Sequence, residues 1–138
     1  MATIKSYTDL EQSKKLAEIL PLESADMHYP YDYVFDELES IPTITEEDDH
    51  FVLFPKDVRC WSLAALLGVL QESITKYIES ERCQKTFHLN LFRSYYCCVS
   101  YDEISSVNDD NSLYCIGRDN WVDACYEMIL KLHELKML

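Results

Sequence analysis

The chain predicts an α+β fold in a single domain over residues 1–138, and three observations carry that prediction. Trp121, Cys125, Met128, Leu132 and Leu135 recur at alternating four- and three-residue steps, which puts one apolar stripe on a helix. Phe87, Leu89 and Leu91 alternate with His88, Asn90 and Phe92, and Tyr95–Tyr101 is rich in aromatic and β-branched residues, so both stretches have strand character. These runs follow one another with only loops between them and with helical runs on either side, an order that makes a helix, a three-stranded antiparallel meander and a second helix in one layered body.

Residues 1–22 predict an N-terminal helix. Thr8 or Asp9 can cap it, Pro21 stops it near Leu20, and Lys14 and Lys15 face water. Residues 23–56 form an acidic, Tyr-rich segment. Within it Tyr29–Phe35 is aromatic and proline-broken, hence extended chain or an edge strand; Thr43–Asp49 reads as a solvated loop; Phe51–Phe54 is one short strand ended by Pro55.

Residues 57–138 predict the α-β-β-β-α body. Asp57 caps a helix over about 58–71, where Trp61, Leu63, Ala64, Leu66, Leu67, Val69 and Leu70 leave almost no polar face and call for cover on more than one side. Ser62, Ala65 and Gly68 make a small-residue stripe that permits close approach. A connection through Glu79–Glu81 leads to the strands, with a hairpin turn near Arg93–Ser94 or, in its place, one long bent strand. Asn108–Asn111 is a loop, Leu113–Gly117 a third strand, and Asp119 or Asn120 caps the last helix, with Asp123 in its first turn and Lys131 and Lys136 toward its end.

Charge is the feature that points outward. Of the formal charge of -13, ten units come from the carboxylates between Glu23 and His50, a span with no Lys or Arg. Such a field repels phosphate and attracts basic surfaces. No stretch approaches the ~20 apolar residues of a membrane helix, and Lys5, Asp9, Glu11, Lys14 and Lys15 interrupt any signal-peptide core. The expected location is the cytoplasm, with the six cysteines as thiols.

Few patterns suggest chemistry. His88, one of Cys97 and Cys98, and Cys115 fall on neighbouring predicted strands, but alternation lets only one of the two adjacent cysteines share a face with His88. Glu46–His50 lacks the spacing and central Gly of a calcium loop. There is no nucleophile elbow, catalytic-Cys signature or phosphate-cradling Gly loop, and the chain has only two glycines. The expectation is a protein that is not an enzyme and uses no cofactor or metal.

The helix–three strands–helix order resembles the double-stranded-RNA-binding domain. The last helix of such domains meets phosphate with cations, whereas here Asp119-Asn120-Trp121-Val122-Asp123 would repel a backbone, so direct nucleic-acid binding is not expected. An unknown protein partner, basic in character, is expected instead. Its contact region is Tyr29, Tyr31, Asp32, Tyr33, Asp36, Glu37 and Glu39, where carboxylates mix with aromatic anchors that extend to Phe35. Two other readings fit the same segment: phosphate mimicry against a nucleic-acid-handling enzyme, and a carboxylate-rich surface that only maintains solubility.

Three stretches carry a resemblance: Ser24-Ala25-Asp26-Met27, Cys60-Trp61-Ser62-Leu63-Ala64-Ala65-Leu66-Leu67, and the run from Val122 to Leu135 (VDACYEMILKLHEL). Together they resemble small acidic proteins of gut Bacteroidetes and their phages or mobile elements, over about residue 24 to the end. The resemblance implies a bacterial or phage cytosolic origin and a compact α+β domain, and it implies no activity. It also makes His28–Leu38 and the following loop the variable part.

Overall fold

The described residues of the computed structural model are 4–46, 55–103 and 112–138. They fall into two units, residues 1–69 and 70–138, each an antiparallel α+β assembly, with three helices in all among the described residues. The expected strand at Phe51–Phe54 and the loop at Asn108–Asn111 lie outside the described residues.

In the first unit, helix α1 (Leu10–Ile19) starts as the sequence requires. The Asp9 side chain accepts from the Gln12 backbone N–H at 2.8 Å, and the Gln12 side chain accepts from the Asp9 N–H at 3.1 Å, a reciprocal capping box. A single 3-10 turn at Leu22–Ser24 follows Pro21. Strand β1 (Met27–Tyr29) is followed by the short β2 (Tyr31–Asp32) and β3 (Glu37–Leu38), then by β4 (Thr43–Ile44) and β5 (Val58–Cys60); helix α2 (Leu63–Val69) closes the unit. β1 is the centre of a three-stranded sheet, with β4 and β5 antiparallel on either side. Leu16, Leu20, Ala25, Tyr29, Cys60, Trp61 and Leu66 are its buried apolar residues.

Several expectations change here. The helix expected over 58–71 is β5 followed by a seven-residue helix. Val58, Arg59 and Cys60 pair with Tyr29, His28 and Met27, an outcome that a short apolar run does not distinguish from a buried helix. α2 is also not enclosed, because Ala64 and Gly68 are exposed and a Cβ on Gly68 would meet nothing within 4 Å. Gly68, the last residue of the small-residue stripe, therefore seats no close neighbour. Thr43 and Ile44, expected in a loop, form β4, while 47–49 lie outside the described residues.

In the second unit the expected three-stranded meander is a four-stranded one: β6 (Ser73–Ile78), β7 (Cys83–Arg93), β8 (Cys97–Glu103) and β9 (Ser112–Arg118), in that spatial order. The added strand and the shortened helix before it remove the double-stranded-RNA-binding order. β6 pairs with the first half of β7, from Ser73↔His88 to Ile78↔Cys83. The turn between β7 and β8 falls at residues 94–96, where the sequence put it.

Helix α3 (Trp121–Glu134) packs on β8 and β9. Asn120 caps it by accepting from the Asp123 N–H at 2.8 Å. Val122, Ala124, Cys125, Met128, Ile129 and Leu132 are buried, Trp121 is half-buried, and Leu135 is exposed beyond the last turn. Leu89, Tyr101 and Tyr114 align across three strands, as do Leu91, Val99 and Ile116, so one sheet face is apolar. The buried Tyr101 hydroxyl donates to the Gln71 carbonyl at 2.7 Å. α3 ends with the Met137 N–H on the Leu132 carbonyl and the Lys136 N–H on the His133 carbonyl, a Schellman arrangement with Lys136 at φ 57°.

Candidate functional site

The candidate surface is the hairpin β2–β3. Pro30 separates it from β1: with no N–H to donate, it ends the ladder that β1 makes with β5 at Tyr29↔Val58. The chain then pairs with itself, Tyr31 opposite Leu38 and Asp32 opposite Glu37. The base of the hairpin is tied by the Tyr31 N–H to the Asp57 carboxylate at 2.8 Å and by the Glu39 N–H to the Pro30 carbonyl at 2.8 Å. Asp57, expected as a helix cap, thus serves the hairpin.

Its loop is built by aspartates. Asp32 Oδ1 accepts from the Val34 N–H at 2.8 Å and the Phe35 N–H at 3.3 Å, an Asx turn. Asp36 sits at φ 55°, a left-handed conformation that Asp tolerates better than most residues. The Tyr31 hydroxyl donates to Asp36 Oδ1, and this bond pushes the hydroxyl's pKa up to about 12. The Tyr31 ring meets Tyr33 edge-on at 4.9 Å, while Lys56 Nζ lies 4.7 Å from the Tyr31 ring centre and 3.9 Å from Asp36.

The tip presents Tyr33, Val34 and Phe35 at 53, 87 and 73% exposure. Beside it, Asp32, Glu37, Leu38, Glu39, Ser40 and Ile41 line an open cavity of about 460 Å³. Six of the seven residues expected in the contact region share this hairpin; the exception is Tyr29. It is 4% exposed, and its hydroxyl donates to the Thr8 carbonyl at 2.8 Å; burial, with Cys60 beside it, pushes its pKa above the ordinary value. Val34 at the apex and Lys56 as a clamp were not foreseen. The run Tyr33-Val34-Phe35 between two paired strands was the available signal for the apex, and nothing local announced Lys56.

Two of the motifs that carry the resemblance meet in the first unit. The Trp61 indole N–H donates to Ser24 Oγ at 2.9 Å. The Asp26 carboxylate accepts from the Ser62 N–H at 2.9 Å and from the Ser62 hydroxyl, and Ser62 in turn caps α2 by accepting from the Ala65 N–H at 3.2 Å. These residues hold β1, β5 and α2 together. The fully buried Thr8 is a second hub: its N–H donates to the Trp61 carbonyl, its hydroxyl accepts from the Trp61 N–H, and its hydroxyl shares a hydrogen bond with Ser13. Cys60 lies against this hub. Burial raises its pKa more than hydrogen bonds with Thr8, Ser13 and Tyr29 lower it, so it stays a thiol.

The other cysteines form no ligand set with His88. His88 stands opposite Asp102, Cys98 opposite Phe92 two same-face steps away, and Cys97 faces the other side. Among the described residues no three His, Cys, Asp or Glu side chains converge for a metal ion. The polar cluster on this face is centred on Asp102, which accepts from Ser112 at 2.6 Å, Ser100 at 2.9 Å and Asn90 at 3.0 Å. Partial burial would raise its pKa, but the three donors outweigh burial and hold the carboxyl below its ordinary value.

Among the described residues no helix is long and apolar enough to cross a membrane. Comparison of the chain with family models, curated proteins and solved structures gave no match.

Proposed function

We propose that this chain is a non-catalytic protein-interaction module that engages a basic partner through the β2–β3 hairpin. The observation that carries the reading is the apolar apex Tyr33-Val34-Phe35, exposed yet held by the Asx turn of Asp32, on a hairpin that also carries Asp36, Glu37 and Glu39. Aromatic side chains held on a fixed turn beside a concentration of carboxylates are what a protein hot spot for a basic partner requires. The motif resemblance supports a cytosolic setting in a gut bacterium, its phage or a mobile element. Phosphate mimicry is less well supported by the same geometry, because Asp32 is bonded to the loop backbone and Asp36 to Tyr31 and Lys56, which leaves fewer carboxylates to stand for phosphates.

The test is an affinity capture from nuclease-treated bacterial lysate. Wild type is compared with a charge-neutral variant (Asp32→Asn, Asp36→Asn, Glu37→Gln, Glu39→Gln) and with an apex variant (Tyr33→Ser, Phe35→Ser). A partner lost with both variants, or with the apex variant alone, supports the reading. A partner retained by both excludes the hairpin. Loss with the neutral variant alone, together with a steep salt dependence, favours mimicry.

A further inference from the structure

The second unit carries an exposed end whose chemistry complements the hairpin. Where β7 and β8 join, Phe92, Tyr95 and Tyr96 are exposed, Tyr95 at 99%. Arg93 and Arg118 flank Cys97 from the two neighbouring strands, so both side chains start from one sheet face, with their backbones roughly 10 Å apart at the strand spacing. Arg93 has no ion pair among the described residues, and Arg118 gives one N–H to the Gly117 carbonyl at 2.7 Å. Tyr96 is backed by Gly117: a Cβ there would stand 3.1 Å from Tyr96 Cβ, so only the bare backbone lets the ring's base lie so close. Aromatic residues and arginines on one rim are the residue types that dominate binding energy at protein interfaces. In a chain of charge -13, these two arginines in register place positive charge at this end.

We infer that this Arg-aromatic end docks the β2–β3 hairpin of a second copy of the chain. The inference rests on the hairpin reading above and names its partner. The two surfaces match in kind: Glu37 and Glu39 are exposed, and the arginines need carboxylates. Tyr33 and Phe35 supply rings that stack on guanidinium planes and on Tyr95 and Tyr96. Because the two surfaces differ, the contact is heterologous, and copies add head to tail. A hairpin tip buries less than a standard interface, so the association is weak and weakens with salt.

Sedimentation velocity and light scattering across the micromolar range test this, with Arg93→Glu/Arg118→Glu as one variant and Glu37→Lys/Glu39→Lys as the other. Wild type is expected to gain mass above 16.2 kDa with concentration and to lose that gain in high salt. Each variant alone should stay monomeric. Their equimolar mixture should associate again, because the original pair of ends and the reversed pair are both complementary, and a chain carrying all four reversals should do the same. Should a reversal unfold the protein by circular dichroism, Arg93→Gln/Arg118→Gln gives the same comparison. A monomeric wild type, or self-association unaffected by the arginine changes, overturns the inference. If lysate capture through the hairpin persists in that case, the hairpin reading survives; self-association untouched by Tyr33→Ser/Phe35→Ser would instead remove the hairpin itself.

Discussion

Replacing Asp26 by Ala tests the claim that the first unit is held at the meeting of two sequence motifs. The carboxylate is half-buried and accepts two hydrogen bonds from Ser62, one of them from the backbone at 2.9 Å. A hydrogen bond to a charged acceptor contributes about 1.5–3 kcal/mol, and partial exposure argues for the lower end, so the two together are worth about 3 kcal/mol. Asp26→Asn keeps one acceptor oxygen without the charge and should lose about 1 kcal/mol. For a unit of this size each kcal/mol moves Tm by roughly 4–8 °C. The two tryptophans give the assay, since Trp61 lies in the first unit and Trp121 in the second. In a Trp121→Phe background, urea unfolding followed by fluorescence reports the surroundings of Trp61 alone. A loss below about 0.5 kcal/mol for Asp26→Ala, with Ser62→Ala equally silent, would refute the assignment of these motifs to structure.

Asp102 should make stability pH-dependent. Its folded pKa lies below the unfolded value of about 3.9, so its contribution is present above that value and is lost as pH falls through the folded pKa. The stability gap between wild type and Asp102→Asn should shrink on acidification, and a gap that stays constant would contradict the three-donor account. Thiol labelling of the native protein should separate two fast cysteines, Cys83 and Cys115, from the buried Cys60, Cys97, Cys98 and Cys125. Cys125, pushed up to about 12 by burial, should be among the slowest, and prompt labelling there would mean that α3 opens readily. Lys136→Gly should raise stability by about 0.5–1 kcal/mol in urea melts by relieving the left-handed cap at φ 57°; a loss would show that the lysine's charge near the helix end outweighs that relief.

Elements whose signals are local were legible. α1 is set by Asp9 and Gln12, three residues apart, and α3 by Asn120, Asp123 and an apolar stripe within one helix. The β7–β8 turn also stood where expected. Elements that depend on a remote partner were not legible. Ser73–Ile78 is polar enough to pass for a connection, and only the register with residues 83–88 makes it β6. Val58–Cys60 is a strand because Met27–Tyr29, some thirty residues earlier, offers its other edge. For the candidate hairpin, composition marked the stretch 29–39 but did not separate its residues into core and surface.

Tyr29 and Tyr33 illustrate the division. The sequence by itself determined that carboxylates and aromatics would be crowded between residues 23 and 50, and that Pro30 would interrupt strand pairing, because charge and a missing N–H are properties of the residues alone. Which aromatic ring points outward was decided only by the tertiary structure. Tyr29, paired with Val58 and bonded to Thr8, turns into the core, while the Asx turn of Asp32 lifts Tyr33, Val34 and Phe35 clear of the sheet. The physical reason is that burial depends on pairing register and on hydrogen-bond partners brought from elsewhere in the chain, and a local run of residues contains neither.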